Sequence, residues 1–430
     1  MEQVNEKHIM RKLFVRITPI VLALYVIAYL DRVNVSFAAL TMNKDIGLDP
    51  YTYGLGAGIF FWGYFIFGIP SNLMLARVGA RPWISLILFV WGLVATGMAW
   101  VQGPNSFLMM RFILGAAEAG FFPGIILYLT YWFPARYRGR IISQFMLAIP
   151  LALAIGSPFS TWLMELDGIW SLKGWQWLFF LQGLPAVLAP IAIWKLLPSN
   201  PGEASWLSDA EKRWLQKELE SDREAVVVKK VESGVLKALT NPVIWAFSII
   251  YLTTSATNYG LSMFLPQIIK QIGYSTMQTG MIMSIPYIAG CAGMLFVGYS
   301  SDKRKERKWH LFTGSMIVAA GLGTAGLLGN TNGAIVAICF GAIGIMSAKI
   351  PLWPVVTAYT SGAGAAGAAA GIGLVNAVGN LGGFVGPWSV GLAKQVTGNF
   401  SSGLYALAAI GLLGAFLTVI SIKVRKNEAS

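Results

Sequence analysis

Gly298-Tyr299-Ser300-Ser301-Asp302-Lys303-Arg304-Lys305-Glu306-Arg307-Lys308 is a short, strongly basic stretch set between two long apolar runs. A stretch in the first half of the chain, Pro70-Ser71-Asn72-Leu73-Met74-Leu75-Ala76-Arg77-Val78-Gly79-Ala80-Arg81, occupies a corresponding place. Registering Asp302 on Ala76 gives an offset of 226 residues. The same offset carries residue 17, where the first apolar run begins, to residue 243, just after Asn241-Pro242. Self-similarity at a fixed offset marks an internal repeat, here of half the chain.

The composition says what is repeated. Of 430 residues, 56% are apolar and 12% charged, with mean hydropathy +0.62. A typical soluble domain carries roughly 25% charged residues, so these few could not cover a soluble surface. A helix crosses the ~30 Å hydrocarbon layer with about 20 residues. That length gives twelve spans, at 17–40, 53–76, 83–102, 106–131, 141–164, 176–197, 243–270, 277–299, 310–329, 333–355, 365–394 and 402–423. The fold class is an all-α membrane protein with twelve transmembrane helices in two six-helix halves. Lys and Arg number 25 at one set of loop ends, 4 at the other and 3 within spans. That bias predicts a plasma-membrane protein with both termini cytoplasmic. The first span lacks a small-residue cleavage site and reads as a retained helix.

Three regions follow: a six-helix half at 1–197, a polar linker at 198–241 and a second six-helix half at 242–430. In the linker, Ser208 precedes Glu211 by three residues, a capping-box spacing that predicts a short amphipathic helix over Ser208–Glu220. A disordered charged linker is the alternative. Basic and acidic residues balance there, which argues against a polybasic lipid-binding segment. The overall charge of +13 does not imply nucleic acid, because basic residues gather on cytoplasmic loops for topological reasons. Cys291 and Cys339 have neither metal nor redox spacing, and His8 with His310 make a poor zinc site. No cofactor or metal is expected.

Charged side chains within spans cost about 2.5–3.5 kcal/mol each on insertion scales, so each is a functional hypothesis. They are Asp31, Arg32, Arg111, Glu118 and Lys349. Arg111 and Glu118 are seven apart and share a helix face, whereas adjacent Asp31 and Arg32 diverge by ~100°. Two acids and two arginines are expected to form one cluster. A static salt-bridge network is one reading, although a buried ion pair seldom gains over apolar packing. The functional reading pairs an arginine fork that suits a carboxylate with acids able to take up and release a proton. Lys349 precedes Ile350-Pro351-Leu352-Trp353-Pro354, read as a doubly broken helix. It either snorkels to the cytoplasmic interface or faces a cavity, where Trp353 is the tryptophan expected beside it. The runs Gly362–Gly371 and Gly54–Gly63 read as helix-packing surfaces.

Two six-span halves in parallel repeat is the arrangement of the major facilitator fold. The stretch at 298–308 resembles that superfamily's signature loop, and the resemblance makes Asp302 a gating latch. Ala76 departs from it, where an aspartate is usual. The runs Tyr29-Leu-Asp31-Arg32-Val-Asn34 and Arg111-Phe-Ile-Leu-Gly-Ala-Ala-Glu118-Ala-Gly-Phe-Phe-Pro123-Gly resemble the anion:cation symporter family. Three further stretches are similar to bacterial rhamnonate, tartrate and hydroxyphenylacetate carriers: Gly68-Ile-Pro70-Ser-Asn72, Gly174-Trp-Gln-Trp177 and Gly371–Gly383. The resemblance implies that Arg32 contacts a substrate carboxylate, that Tyr29 and Tyr64 line the cavity and that Asn376 meets the polyol end. It makes Asp31 and Glu118 protonation sites with Arg111 their partner. Ile149-Pro150 stands near where one sugar-acid carrier pattern has glutamine, and a lysine at position 349 also departs from the relatives.

The expectation is a monomeric secondary transporter, not an enzyme, importing a sugar-acid or hydroxy-acid anion with protons by alternating access. Exchange, export or carriage of an aromatic acid are the alternatives within transport. A membrane sensor of the same anion is the alternative from another class.

Overall fold

A computed structural model describes residues 5–227, 239–360 and 364–422. An amphipathic helix α1 (Glu6–Arg16) leads into α2 (Thr18–Asp45), with Pro19 in its first turn where no N–H is needed. Asp49 then caps α3 (Pro50–Val78), its carboxylate accepting from Thr52 N–H at 2.7 Å. Next come α4 (Ala80–Gly97), α5 (Pro104–Glu118), α6 (Phe121–Thr130), α7 (Ala135–Met164) and α8 (Gly174–Leu196). The linker supplies α9 (Asp209–Val227). The second half holds α10 (Pro242–Gln271), α11 (Thr276–Arg304), α12 (Lys308–Leu328) and α13 (Asn332–Thr360). It ends with α14 (Gly364–Asn380), α15 (Gly382–Thr397) and α16 (Ser401–Ser421).

This is an all-α, multi-span membrane bundle. Among the described residues, ten helices or helix pairs are long and apolar enough to cross a bilayer. Two of the twelve expected spans miss that measure for identifiable reasons. In helix α7 the stretch counted among the described residues is the shorter apolar Ala148–Met164. Helix α10 carries the polar run Thr253-Thr254-Ser255-Ala256-Thr257-Asn258 at its centre.

Two sequence expectations change in detail. The span at 106–131 is interrupted: α5 stops at Glu118 and α6 starts at Phe121, with Gly120 between them at φ +89°. A side chain there would be strained by the backbone and would collide with Ser71, so glycine is required. The interruption leaves Glu118 on the last turn of a helix inside the bundle. Conversely, the doubly broken helix expected at Pro351 and Pro354 is not broken, because α13 runs continuously through both. Each proline removes one hydrogen bond and crowds one carbonyl, which a helix packed on several neighbours tolerates.

The linker helix forms as its capping box foretells. Ser208 N–H donates to Glu211 at 2.8 Å, and Glu211 N–H donates to the Ser208 hydroxyl at 3.3 Å. Residues 228–238 of the linker, and 361–363 at the entrance of the glycine–alanine run, lie outside the described residues. Helix α9 is tied to the first half. Lys12 donates to Glu211 at 2.8 Å, and Arg136 bridges Glu6 at 2.8 Å and Glu218 at 2.9 Å. The Tyr137 hydroxyl also donates to Glu6, at 2.7 Å.

The two halves of the chain meet mainly along three helix pairs: α2 on α10, α3 on α15 and α7 on α11. Their closest approaches lie near the loops that carry few basic residues. Tyr53 donates to the Met263 carbonyl at 2.8 Å, and Ser284 donates to the Ala154 carbonyl at 2.5 Å. A methyl group on Gly54 would fall 2.5 Å from the Pro387 carbonyl oxygen, so α3 and α15 touch backbone to backbone. At the opposite, base-rich end, no hydrogen bond or ion pair joins the halves among the described residues. The described polar contacts between the halves therefore lie toward the base-poor end.

Candidate functional site

Arg32 lies on α2 near the middle of the bundle, one terminal nitrogen on each half of the chain. One terminal nitrogen makes a short ion pair with Glu118 of α5. The other donates to the Tyr259 hydroxyl of α10 at 3.1 Å. The guanidinium lies over Phe60 and Tyr64, 5.3 and 5.5 Å from their ring centroids, a cation–π seat. Its side chain is 17% exposed against 1% for Glu118, so the pair opens on the arginine side. Nε of Arg32 and Oε2 of Glu118 are both buried without a hydrogen-bond partner.

Asp31, one residue earlier, points elsewhere, as adjacent helical positions must. Trp91 of α4 donates to one carboxylate oxygen in a short hydrogen bond, and Asn34 donates to the other at 2.8 Å. The two buried acids therefore differ. Both oxygens of Asp31 are engaged by neutral donors, whereas Glu118 has one engaged by a cation and one free.

Arg111 was expected to partner these acids, and its contacts are different. It is fully buried, and Nε and one terminal nitrogen donate to the Gly56 and Ala57 carbonyls of α3 at 3.2 and 3.1 Å. No ion pair joins it to Asp31 or Glu118 among the described residues, although both are within electrostatic range. The reason is the glycine-rich face of α3. At Gly115 and Gly63 the α3 and α5 backbones come so close that a methyl group on either would strike the other helix. The long arginine therefore reaches carbonyl oxygens on the facing helix. Its guanidinium lies 5.1 Å from the Phe60 centroid, so this ring sits against both arginines.

The other residues named from the sequence are spread around this pair. Tyr64 joins it directly. Tyr29 is buried on α2 beside Tyr25, at 6.4 Å between rings, within electrostatic range of Arg32. On the second half, Trp353 meets Tyr251 edge-to-face at 5.1 Å. Lys349, one turn earlier on the same face of α13, has neither hydrogen bond nor ion pair among the described residues. Asn376 is exposed on α14 and accepts from Asn380 at 2.9 and 3.2 Å through its carbonyl and side-chain oxygens. Asp302 is remote, on the last turn of α11 with its side chain 73% exposed, and pairs with Arg307 at 2.5 Å. Arg307 also donates to Ser301 at 2.8 Å, so the contacts of Asp302 stay within its own loop.

Sequence reasoning missed Trp91, Phe60 and Tyr259. The first two are apolar-looking members of long apolar runs, and nothing local distinguishes them. Tyr259 had a signal, because it ends the polar run that lowers the hydropathy of α10.

Comparison with known proteins shows the family of the chain. A family model described as Major Facilitator Superfamily matches residues 21–387. A putative tartrate transporter of Agrobacterium vitis is 44% identical over 415 residues, covering 96% of this chain and 95% of its own. A quinolone resistance transporter of Acinetobacter baumannii is 42% identical, covering 96% and 95%. Among solved structures, a bacterial homolog of the human lysosomal transporter Spinster, inward-facing and occupied, superposes with TM-score 0.77. It is 17% identical and the match covers 94% of this chain and 96% of that one, a likeness of fold.

Proposed function

The chain belongs to the Major Facilitator Superfamily as a multi-pass membrane transporter and not an enzyme, and from that premise we propose that it imports a small organic anion by proton symport. The observation that carries the reading is the Arg32–Glu118 pair, set where α2 meets α10. A substrate carboxylate and the Glu118 carboxylate compete for one guanidinium. In a poorly solvated site two anions on one cation leave an uncompensated charge, which is costly. A proton on Glu118 removes the conflict, since it discharges the internal carboxylate and frees the fork for the external one. Proton and anion then enter together. The unpartnered second oxygen of Glu118 is the atom at which that proton arrives.

The remaining roles follow from position. Tyr29, Tyr64, Trp353 and Asn376 line the path, and Lys349 offers a second cation for the far end of a sugar acid or hydroxy acid. Asp31, engaged by Trp91 and Asn34, serves as a second protonation site coupled through Arg111. Asp302 latches one loop. Twelve helices in two six-helix halves, divided by the linker at 198–241 and with both termini cytoplasmic, provide alternating access in a monomer. The relative named a tartrate transporter supports a hydroxy acid as cargo.

A second reading has its own support. The relative named a quinolone resistance transporter is nearly as similar, which favours outward movement or exchange of an aromatic acid. Uptake of radiolabelled tartrate, gluconate and 4-hydroxyphenylacetate into proteoliposomes separates the two. Accumulation that requires an inward proton gradient supports symport. Uptake that needs only internal anion supports exchange, and no movement of any anion ends both.

A further inference from the structure

The middle of α10 is polar and buried from Thr253 to Tyr259. Its threonines satisfy themselves on their own helix: Thr253 donates to the Ile250 carbonyl at 2.8 Å, Thr254 to Tyr251 at 2.8 Å and Thr257 to Thr253 at 3.0 Å. The last two residues of the run do not. Asn258 is 2% exposed, and its side-chain carbonyl oxygen has no hydrogen-bond partner. Tyr259 is 7% exposed, and its hydroxyl accepts from Arg32. A phenol that accepts still carries a proton to give, and Tyr259 donates it to no described residue. Buried polar groups are nearly always satisfied in the working state of a protein, so a donor left open beside a cation points to an absent partner.

The placement says what that partner is. The free phenol proton sits beside the guanidinium nitrogen that Glu118 does not hold. The group that uses both donors at once is a carboxylate, which takes one N–H and one O–H on its two oxygens. The Tyr259 ring is fixed for the task, 4.5 Å from Phe61 between centroids. We propose that Tyr259 is a substrate-contacting residue: its O–H and the Arg32 guanidinium form one carboxylate seat. The proposal rests on the transport reading above and adds the wall of the site that belongs to the second half. Because Arg32 is on α2 and Tyr259 on α10, the seat is complete only while those helices keep this register.

The test is Tyr259→Phe, which keeps the ring on Phe61 and removes only the hydroxyl. Proton-driven uptake of tartrate and gluconate into proteoliposomes gives KM and the maximal rate. Thermal stabilisation by the same anions is read relative to each protein's own unliganded melting temperature, so any loss of packing cancels. A roughly tenfold or greater rise in KM with the maximal rate preserved, and matching loss of stabilisation, is expected for one hydrogen bond to a charged acceptor. Unchanged KM, or a fall in rate alone, overturns the proposal and leaves the transport reading intact. If the unmutated protein takes up neither anion, the transport reading for hydroxy acids fails on that result, and this seat fails with it.

Discussion

Glu118 is bonded to Arg32 through one carboxylate oxygen and leaves the other buried and unpartnered. The acid sits on the last turn of α5, where the glycine-mediated interruption at Gly120 ends the helix. A buried ion pair with one open acceptor is a poor stabilising device, because desolvation of the open oxygen offsets much of the attraction. It is well suited to exchange, in which the arginine swaps an internal anion for an external one.

Arg32→Ala is therefore expected to abolish anion binding. The substrate carboxylate loses its charged donor in a poorly solvated site, a loss of about 2–5 kcal/mol. Tartrate or gluconate should no longer raise the melting temperature of the purified variant. Undiminished stabilisation would remove Arg32 from the site.

Glu118→Gln separates binding from coupling. The amide imitates the protonated acid and cannot hold Arg32 as an ion pair, so anion binding should persist and lose its dependence on pH. Counterflow of labelled for unlabelled anion should continue, while accumulation driven by a proton gradient should stop. A variant that still accumulates anion like the unmutated protein would show that Glu118 does not couple.

The seam between α3 and α15 makes a conformational prediction. Gly54 lies so close to Pro387 and Gly391 that no side chain fits without moving a backbone. Gly54→Val should hold the base-poor end apart and depopulate the form described here. Cysteines introduced at Asp49 and Asn399, in loops at that end, should react faster with an impermeant thiol reagent in the variant. Equal reaction rates would mean that the seam does not limit closure.

Acid should loosen the base-rich face before it affects the bundle. The Tyr137 hydroxyl, followed by the Arg136 guanidinium, holds the Glu6 carboxyl below its ordinary range. A carboxyl depressed in the folded state adds stability above its unfolded value and loses it as pH falls through the lower folded value. Hydrogen exchange across α1 should thus accelerate below about pH 4, the ordinary carboxylate range. Glu6→Gln should show the faster exchange already at neutral pH. An α1 that exchanges equally in both proteins would show that this contact does not hold the helix down.

What the sequence disclosed depends on how local the signal is. Membrane spans and the α9 cap are written in runs of a few to twenty residues, as Ser208 and Glu211 show. The five charges within spans stand out because the bilayer penalises them. Their pairing is not local. Arg111 and Glu118 share a helix face by spacing, yet Arg111 reaches backbone carbonyls because glycines bring α3 close, and Glu118 turns to an arginine 86 positions away. Trp91 reaches Asp31 across 60 positions, and no pattern in either helix announces it. Helix α13 was misread for a related reason, since the tolerance of Pro351 and Pro354 lies in the neighbouring helices.

Lys349 carries the sharpest consequence for cargo. On α13 it shares a face with Trp353, whose ring is against Tyr251 of α10, so that face is turned toward the bundle interior. Snorkelling to the interface would require the side chain to leave that face. The lysine has no counter-ion among the described residues, whereas Arg32 has Glu118. With Glu118 protonated the site presents two cations on opposite halves, an arrangement that fits a dicarboxylate held at both ends. An ammonium is a point charge without the directional demand of a fork, which suits the second and less tightly specified contact. Lys349→Gln should then weaken binding of tartrate by about tenfold or more, ~1.4 kcal/mol. Gluconate, with one carboxylate for Arg32, should be nearly unaffected. Competition of each unlabelled anion against labelled uptake measures both affinities on one preparation. Equal losses for the two anions, or none for either, would place Lys349 outside the cargo site and remove the argument for a dicarboxylate.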